Sequence, residues 1–141
     1  MVTQTLLTVR YAETDRMGIA HHSHYPVWFE QARTEFVTRC GLTYSQMEQE
    51  GVLTPLSELH CRFLSPAGYE DRLLVETRMT RLTPARVQFE YRVLREGEQT
   101  PLCLGYTLHG FVSRELRPYN LKKARPDLFA KFQACLEESL F

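Results

Sequence analysis

The stretch YPVWFEQARTEFVTRC, residues 25–40, decides the fold that this sequence predicts. Pro26 is tolerated only in the first turn of a helix, and Gly41 is a typical helix stop, so a helix begins near residues 22–26 and ends at residue 40. Its apolar positions recur at three- and four-residue spacing, which is the period of an amphipathic helix: Phe29, Ala32, Phe36 and Cys40.

Strand patterns lie on both sides of this helix. Residues 5–11 alternate before it, and residues 56–63, 73–79, 86–95 and 102–112 follow it. The segment Glu96-Gly97-Glu98 is a turn signal, so the last two strands form an antiparallel hairpin. The clearest strand is apolar at every second position: Val87, Phe89, Tyr91 and Val93.

Two further helices are predicted. Ser45 and Glu48 have the spacing of a capping box, which opens a short helix that Gly51 ends. Pro126 opens a terminal helix together with Asp127. The apolar side of the terminal helix consists of Leu128 or Phe129, Phe132, Leu136 and Leu140.

This order of elements predicts an α+β domain in which one antiparallel sheet packs against a long helix. A hotdog fold, with a curved sheet wrapped around a central helix and a C-terminal helix added, buries the aromatic residues of the helix. Cystatin-like and nuclear-transport-factor-like folds have the same kinds of elements and stay open at this point.

Length and composition limit the classes of function. The 141 residues predict a single domain, 1–141. Lys plus Arg and Asp plus Glu number 17 each, so we expect no nucleic-acid or membrane partner. The four scattered cysteines form no C-x-x-C pair, and no signal peptide or membrane-length apolar run is present. A cytoplasmic location is therefore expected.

The segment YAETDRMGIAHHSHY, residues 11–25, combines a strand ending in Thr14-Asp15, a glycine three residues later, and a His that opens a helix ahead of a Tyr. It closely resembles the signature of the 4-hydroxybenzoyl-CoA thioesterase-like hotdog family, and residues 28–35 and 63–75 resemble its later landmarks. The resemblance implies a hotdog acyl-CoA thioesterase that releases a free carboxylic acid and CoA. It implies no metal or redox cofactor, since CoA is part of the substrate.

Asp15 is the candidate catalytic carboxylate. It lies in a non-repetitive segment between a strand and a helix start, where side chains face clefts. A thiol has a pKa of about 8.5, so the CoA thiolate leaves readily and strong acid catalysis is not essential. Asp15 can act as general base toward water or attack the carbonyl itself, and the sequence leaves both routes open.

The resemblance also suggests the other parts of the site. The backbone N–H of His22, at the helix start, would polarise the thioester carbonyl, and its side chain would orient water or Asp15. Gly18 would let the loop approach the substrate. Tyr25 and Trp28 would form the wall of the acyl pocket, and Met17 would line its mouth.

Other charged residues are weaker candidates. Glu30 rivals Asp15 because another branch of hotdog thioesterases has its carboxylate on the central helix, although Glu30 also suits an ion pair with Arg33. Three arginines near strand ends are candidates for CoA phosphates: Arg62, Arg81 and Arg86. The basic C-terminal segment offers a further set: Arg114, Arg117, Lys122, Lys123 and Arg125. His21, His22 and His24 lack metal-ligand spacing, so no metal site is predicted.

A single hotdog domain leaves a sheet edge open, so the resemblance implies a homodimer or a homotetramer. The acyl carrier can be CoA or an acyl carrier protein. Two other functions remain as alternatives: a hydratase or dehydratase acting on acyl thioesters, and a non-catalytic module that binds acyl thioesters or acyl carriers.

Overall fold

The elements follow the predicted order. The computed structural model describes Met1–Phe141. Its strands are β1 (Val2–Thr8), β2 (Leu56–Phe63), β3 (Arg72–Leu82), β4 (Arg86–Arg95) and β5 (Pro101–Gly110). Its helices are α1 (Tyr25–Arg39), α2 (Tyr44–Gln49), α3 (Leu121–Ala124) and α4 (Pro126–Gln133), and short 3-10 turns cover Tyr11–Glu13 and His22–His24. None of these helices combines the length and the apolar character that crossing a bilayer requires.

One antiparallel sheet with the strand order β1-β3-β4-β5-β2 wraps around α1. The ring of Phe29 on α1 stacks on Tyr91 of β4, with 4.2 Å between centroids and 4° between planes. Two helical turns further along α1, the ring of Phe36 packs edge-on against Phe89, with 5.7 Å between centroids. The predicted α+β class, with a curved sheet around a long central helix, is confirmed.

Gly105 of β5 allows α1 to approach the sheet closely. A Cβ atom at this position would lie 2.6 Å from the carbonyl oxygen of His60 and 2.7 Å from two ring carbons of Phe29. Both neighbours are held in place, because one is backbone of the paired strand β2 and the other is fully buried. Only glycine therefore fits under the Phe29 ring.

Gly105→Ala is expected to lower the free energy of unfolding by about 1–3 kcal/mol, because the added methyl group overpacks the core. The matched control is Gly110→Ala on the same strand, where the nearest atom to the new Cβ lies 4.0 Å away. Urea unfolding of both variants measures the difference. Equal stability of the two would show that the sheet relaxes around the methyl group at Gly105.

A chain of polar groups crosses the core between α1 and β5. Nδ1 of His109 lies 3.1 Å from the carbonyl oxygen of Thr54, and Nε2 lies 2.9 Å from the Thr107 hydroxyl. That hydroxyl is 2.7 Å from the Tyr91 hydroxyl, which accepts a hydrogen bond from Arg33 at 3.1 Å. Burial and, to a smaller extent, the charge of Arg33 lower the pKa of His109 to about 4. The imidazole is therefore neutral at pH 7.

His109 should make the fold sensitive to mild acid. Its pKa is about 4 in the fold against 6.5 in the unfolded chain, so only the unfolded chain binds this proton between those values. Stability is therefore full above pH 6.5 and falls as the pH drops toward 4, by about 3 kcal/mol in total. Urea unfolding of wild type and His109→Gln at pH 7 and pH 4.5 isolates this contribution. Parallel losses in both proteins would contradict it.

The N-terminal strand lies three residues before its predicted position, and this prediction was wrong in its bounds. The buried side chains of β1 are Thr3 and Thr5, which carry no hydrophobic signal, and Tyr11 is 76% exposed. The predicted capping box was also wrong, because Thr43 caps α2 and pairs reciprocally with Gln46. The earlier start brings the hydroxyl of Tyr44 within 3.1 Å of Arg33.

The terminal helix begins at Pro126 as predicted but ends at Gln133, so the prediction that Leu136 and Leu140 lie on it was wrong. The chain after Cys135 instead crosses the outer face of the sheet. There, the hydroxyl of Ser139 and the amide of Leu140 donate to the carboxylate of Glu90, which is 1% exposed. A buried carboxylate requires hydrogen-bond donors, and the extended tail supplies two of them to Glu90.

Candidate active site

The loop that carries Asp15 is a tight turn. The amide of Gly18 donates to the carbonyl of Asp15 at 2.9 Å, and the amide of Asp15 donates to the carbonyl of Ile19 at 2.9 Å. Gly18 has a φ of +78°, which glycine adopts without strain. The turn therefore requires glycine at this position, and Gly18 shapes the site through its backbone.

The ends of this loop are tied to two other segments. The amide of Ala20 donates to the carbonyl of Ala67 at 2.8 Å, and the amide of His21 donates to the carbonyl of Glu13 at 2.8 Å. These bonds connect the Asp15 turn to the segment after β2 and to the 3-10 turn that precedes it.

The Asp15 carboxylate is half-buried, and its orientation is defined by one hydrogen bond. The amide of Met17 donates to Oδ1 at 2.8 Å, and no protein group donates to Oδ2. One oxygen thus anchors the side chain while the other is available to a substrate or a water molecule.

Asp15 opens onto a cavity of about 350 Å³, a size typical of small-molecule sites. The turn and the start of α1 form one wall, and the end of β2 with the following loop forms the other. The cavity is lined by Asp15, Met17, Ile19, Ala20, His22, Tyr25, Phe63, Leu64, Ser65 and Pro66.

The start of the helix is a second polar feature of this cavity, because His22 lines it. Nδ1 of His21 accepts a hydrogen bond from the amide of Ser23 at 3.2 Å, which caps the 3-10 turn His22–His24. This turn continues directly into α1. The amide of His22 has no acceptor within the protein, and it lies at the positive end of the helix dipole.

Tyr25 and Trp28 have different surroundings. Tyr25 is 2% exposed, lines the cavity, and packs edge-on against Phe63 at 5.0 Å. Burial and, to a smaller extent, the neighbouring thiols of Cys103 and Cys61 raise the pKa of Tyr25 to about 12, so the phenol stays protonated at neutral pH. Trp28 does not line the cavity, because it lies behind Tyr25 at 4.6 Å.

The indole N–H of Trp28 donates to Glu13 at 2.9 Å, a contact that the sequence pattern does not predict. The Glu13 carboxylate is 3% exposed, and it also accepts the amide of Arg10 at 2.8 Å. Burial raises the pKa of Glu13, but hydrogen bonds from the Arg10 amide, from Trp28 and from the Arg10 side chain outweigh burial and hold this pKa below its usual value of 4.5. Glu13 thus joins the Asp15 segment to α1 as a buried carboxylate.

A second missed group holds the opposite wall. Arg95 donates to the carbonyl of Pro66 at 3.1 Å and to Asp71 at 3.1 Å, and Asp71 accepts the amide of Gly68 at 2.8 Å. These bonds connect the loop after β2 to the end of β4. Charged residues in strands and loops carry no distinct signal for such a role in a single sequence.

Met17 and the three candidate arginines lie in different parts of the fold. Met17 is 75% exposed at the mouth of the cavity. Arg62 neighbours Phe63 on β2 but points to the other face of the sheet. Arg86 pairs with Gly110 on β5, whereas Phe63 pairs with Cys103 on the same strand. Gly110 and Cys103 are seven residues apart, which corresponds to about 23 Å along β5. Arg81 lies close to Arg86. The fold therefore separates Arg81 and Arg86 from Asp15 within one chain.

The last candidates from the sequence are Glu30 and the three histidines. Glu30 lies on α1, but it lines a different cavity together with Arg33. His21, His22 and His24 lie close together, and no group of three or more His, Cys, Asp or Glu side chains in the chain has an arrangement suited to a metal ion.

Known proteins resemble this chain in sequence or in structure. The family model described as the thioesterase-like superfamily matches residues 9–134. The Bacillus subtilis protein named "Putative acyl-CoA thioesterase YneP" is 30% identical over 94% of this chain and 96% of its own length. The crystal structure of the hypothetical protein TT1821 from Thermus thermophilus has a TM-score of 0.87 and 36% identity, covering 98% of this chain and 100% of that one. The DHNA-CoA thioesterase from Staphylococcus aureus has a TM-score of 0.87 and 28% identity, covering 94% and 91%.

Proposed function

The chain belongs to the thioesterase-like superfamily and is a thioester hydrolase, and from this we propose that it hydrolyses acyl-CoA with Asp15 as the reacting carboxylate. One observation carries the proposal. Asp15, whose carboxylate has a free oxygen, and His22, whose backbone N–H has no acceptor, both line the same cavity, and the rest of its wall is largely apolar. Hydrolysis of a thioester needs this combination of groups.

The substrate carbonyl would accept a hydrogen bond from the His22 amide, which would stabilise the negative charge that develops on that oxygen in the transition state. Asp15 would then act by one of two routes. As a general base, it removes a proton from a water molecule whose oxygen attacks the carbonyl carbon. As a nucleophile, it attacks that carbon itself, and water hydrolyses the resulting anhydride. In both routes the C–S bond breaks and CoA leaves as the thiolate.

The other cavity residues would set the orientation of the acyl group. The Tyr25 phenol is protonated at neutral pH, so it can donate a hydrogen bond to the substrate. The exposed residues Met17 and Phe63 would cover the apolar part of the acyl group, and the His22 side chain would orient the attacking water. Gly18 would contribute by keeping the turn close to the thioester.

The names of similar proteins suggest the range of substrates to test. One is named as an acyl-CoA thioesterase and another as a DHNA-CoA thioesterase, so aliphatic and aromatic acyl groups are both candidates. Arg62 is adjacent in sequence to Phe63 of the cavity, but its side chain lies on the other face of the sheet, so it would contact the CoA phosphates only where they extend beyond the end of β2. Arg81 and Arg86 would reach a CoA molecule only from a second copy of the chain.

A second copy would also complete the sheet. β2 is an edge strand, and its helix-facing side chains Leu56, Leu59 and Phe63 are 51%, 44% and 50% exposed. Pairing of β2 with β2 of another copy would satisfy its free backbone groups and cover these side chains, so we propose a homodimer, with a homotetramer as the alternative. The cytoplasmic location stays a prediction.

Free-thiol release from a panel of short, long and hydroxyaryl acyl-CoA substrates, and from the same acyl groups on acyl carrier protein, tests the function. Release of one thiol per carboxylic acid on at least one substrate supports hydrolysis. If acyl-CoA raises the melting temperature of the protein but is not consumed, the protein is instead a non-catalytic module that binds acyl thioesters. Addition of water to an enoyl-CoA without thiol release would identify a hydratase.

A further inference from the structure

The backbone of the Asp15 turn bonds directly to the segment that continues the opposite wall of its cavity. The amide of Ala20 donates to the carbonyl of Ala67 at 2.8 Å, and Ile19 forms an antiparallel bridge with Gly68. The amide of Asp15 in turn donates to the carbonyl of Ile19 at 2.9 Å. The position of this segment therefore sets the position of the turn that carries the carboxylate.

The segment is itself held by Arg95, the last residue of β4. Nη2 of Arg95 donates to the carbonyl of Pro66 at 3.1 Å, and Nε donates to Oδ2 of Asp71 at 3.1 Å. The same Oδ2 atom accepts the amide of Gly68 at 2.8 Å. Arg95 pairs in the sheet with Leu73 of β3, which is fully buried, so the clamp formed by Arg95 and Asp71 is anchored in the core of the fold.

The contacts of Arg95 indicate a role within the protein and not the binding of an anionic ligand. Besides its bonds to Asp71 and Pro66, it donates from Nη1 to Glu98 at 2.9 Å. Each of its three nitrogens thus has an acceptor, and two carboxylates offset its charge. A phosphate or a carboxylate of a ligand would have to displace these partners before it could form the paired hydrogen bonds that arginine offers to such groups.

We propose that Arg95, acting through Asp71, is a positioning residue for thioester hydrolysis. Pro66 belongs to the cavity wall that would contact the acyl group, and the turn that carries Asp15 is bonded to the residues that follow Pro66. Loss of the clamp would therefore shift the acyl group relative to the reacting carboxylate. Since a misplacement of about 1 Å can cost about 100-fold in rate, a smaller shift should cost about tenfold. The kinetic part of this proposal rests on the proposed function.

Arg92 offers a matched control on the same strand. It forms an ion pair with Glu76 at 2.7 Å, and its side chain is 33% exposed, against 32% for Arg95. The adjacent residue Tyr91 faces α1, so Arg92 lies on the other face of the sheet, and its hydrogen bond also goes to Glu76. Thermal unfolding verifies that Arg92→Met and Arg95→Met are both folded.

Hydrogen exchange tests the structural step without any turnover. In Arg95→Met, the amides of Ala20 and Gly68 should exchange at least about tenfold faster than in wild type, because the acceptors of both bonds lose their support. Arg92→Met should leave both rates within about threefold of wild type. Unchanged exchange rates in Arg95→Met would overturn the clamp.

Thiol release from acyl-CoA tests the kinetic step. Arg95→Met should lower kcat about tenfold while KM stays within about threefold, since the clamp contacts no substrate atom, and Arg92→Met should leave both within about threefold. Asp71→Ala removes the acceptor of the Gly68 amide and should reproduce the loss, which gives a test even if Arg95→Met does not fold. Asp71→Asn keeps one oxygen that can accept both bonds, so it should retain most of the activity.

Three results would contradict the positioning role. One is faster exchange in Arg95→Met with an unchanged kcat. Another is an equal loss of kcat in Arg92→Met, which would show a general effect of losing an ion pair on β4. If wild type releases no thiol from any substrate, the proposed function and the positioning role both fail, whereas the exchange rates still decide whether the clamp holds the turn.

Discussion

Asp15→Asn is expected to lower kcat/KM for thioester hydrolysis by about 10³-fold or more, with little change in stability. The amide oxygen of asparagine can still accept the hydrogen bond from the Met17 amide, so the turn should keep its shape. Asparagine can neither remove a proton from water nor attack the thioester carbonyl. A loss of this size corresponds to removing a general base or a nucleophile from a site that is otherwise intact.

Glu30→Gln is the matched control, because it changes another carboxylate near the start of α1 that lies outside the Asp15 cavity. Its activity should stay within about threefold of wild type, since it loses no contact with the reacting atoms. Thermal unfolding verifies that both variants are folded. Full activity in Asp15→Asn together with a large loss in Glu30→Gln would transfer the catalytic role to Glu30.

Glu13→Ala is expected to have the second-largest effect, and it should act on stability and activity together. The variant leaves the indole N–H of Trp28 and the amide of Arg10 without their acceptor, which costs about 1–3 kcal/mol for the buried indole N–H and less for the part-buried amide. The Asp15 turn would also lose its connection to α1. A displacement of about 1 Å between the carboxylate and the helix start is enough to lower kcat about 100-fold.

A double-mutant cycle with Trp28→Phe separates these contributions. If the Glu13–Trp28 bond aligns the site, the two single variants should each lower kcat, and the double variant should be less impaired than their sum, with a coupling energy of about 1–3 kcal/mol. Glu13→Gln has one acceptor oxygen in place of two, so it can keep the bond from Trp28 but not also the bond from the Arg10 amide, and it should recover only part of the activity. Additive losses in kcat would mean that Glu13 supports the fold without positioning Asp15.

The sequence predicts most of the fold because the main elements have strong periodic signals. α1 has an apolar stripe with Pro26 at its start and Gly41 after its end, and β4 alternates without interruption. The N-terminal strand was misplaced because its inward positions are Thr3 and Thr5, whose burial depends on tertiary packing. The terminal helix was extended too far because Leu136 fits helical spacing, while the partner of the tail, Glu90, is distant in sequence.

The candidate site was predictable only where a motif spans it. Residues 11–25 identify Asp15 and the helix start because the turn, the glycine and the cap are local in sequence. Trp28 belongs to the same region, but the sequence does not indicate that its indole faces Glu13 and not the cavity. Arg62 and Arg86 are both close to strand ends, and only the register of the sheet shows that these ends are opposite.

The two walls of the Asp15 cavity differ in how well they tolerate amino-acid substitution. The wall formed by the turn and α1 is tied to buried groups such as Glu13 and Tyr25, so substitutions there disturb the core and the chemistry at once. The opposite wall presents Phe63 and Leu64, which are 50% and 44% exposed at the end of an edge strand. Exposed side chains tolerate exchange at little cost in stability. Acyl preference can therefore change through this wall while Asp15, the proposed reacting carboxylate, is retained.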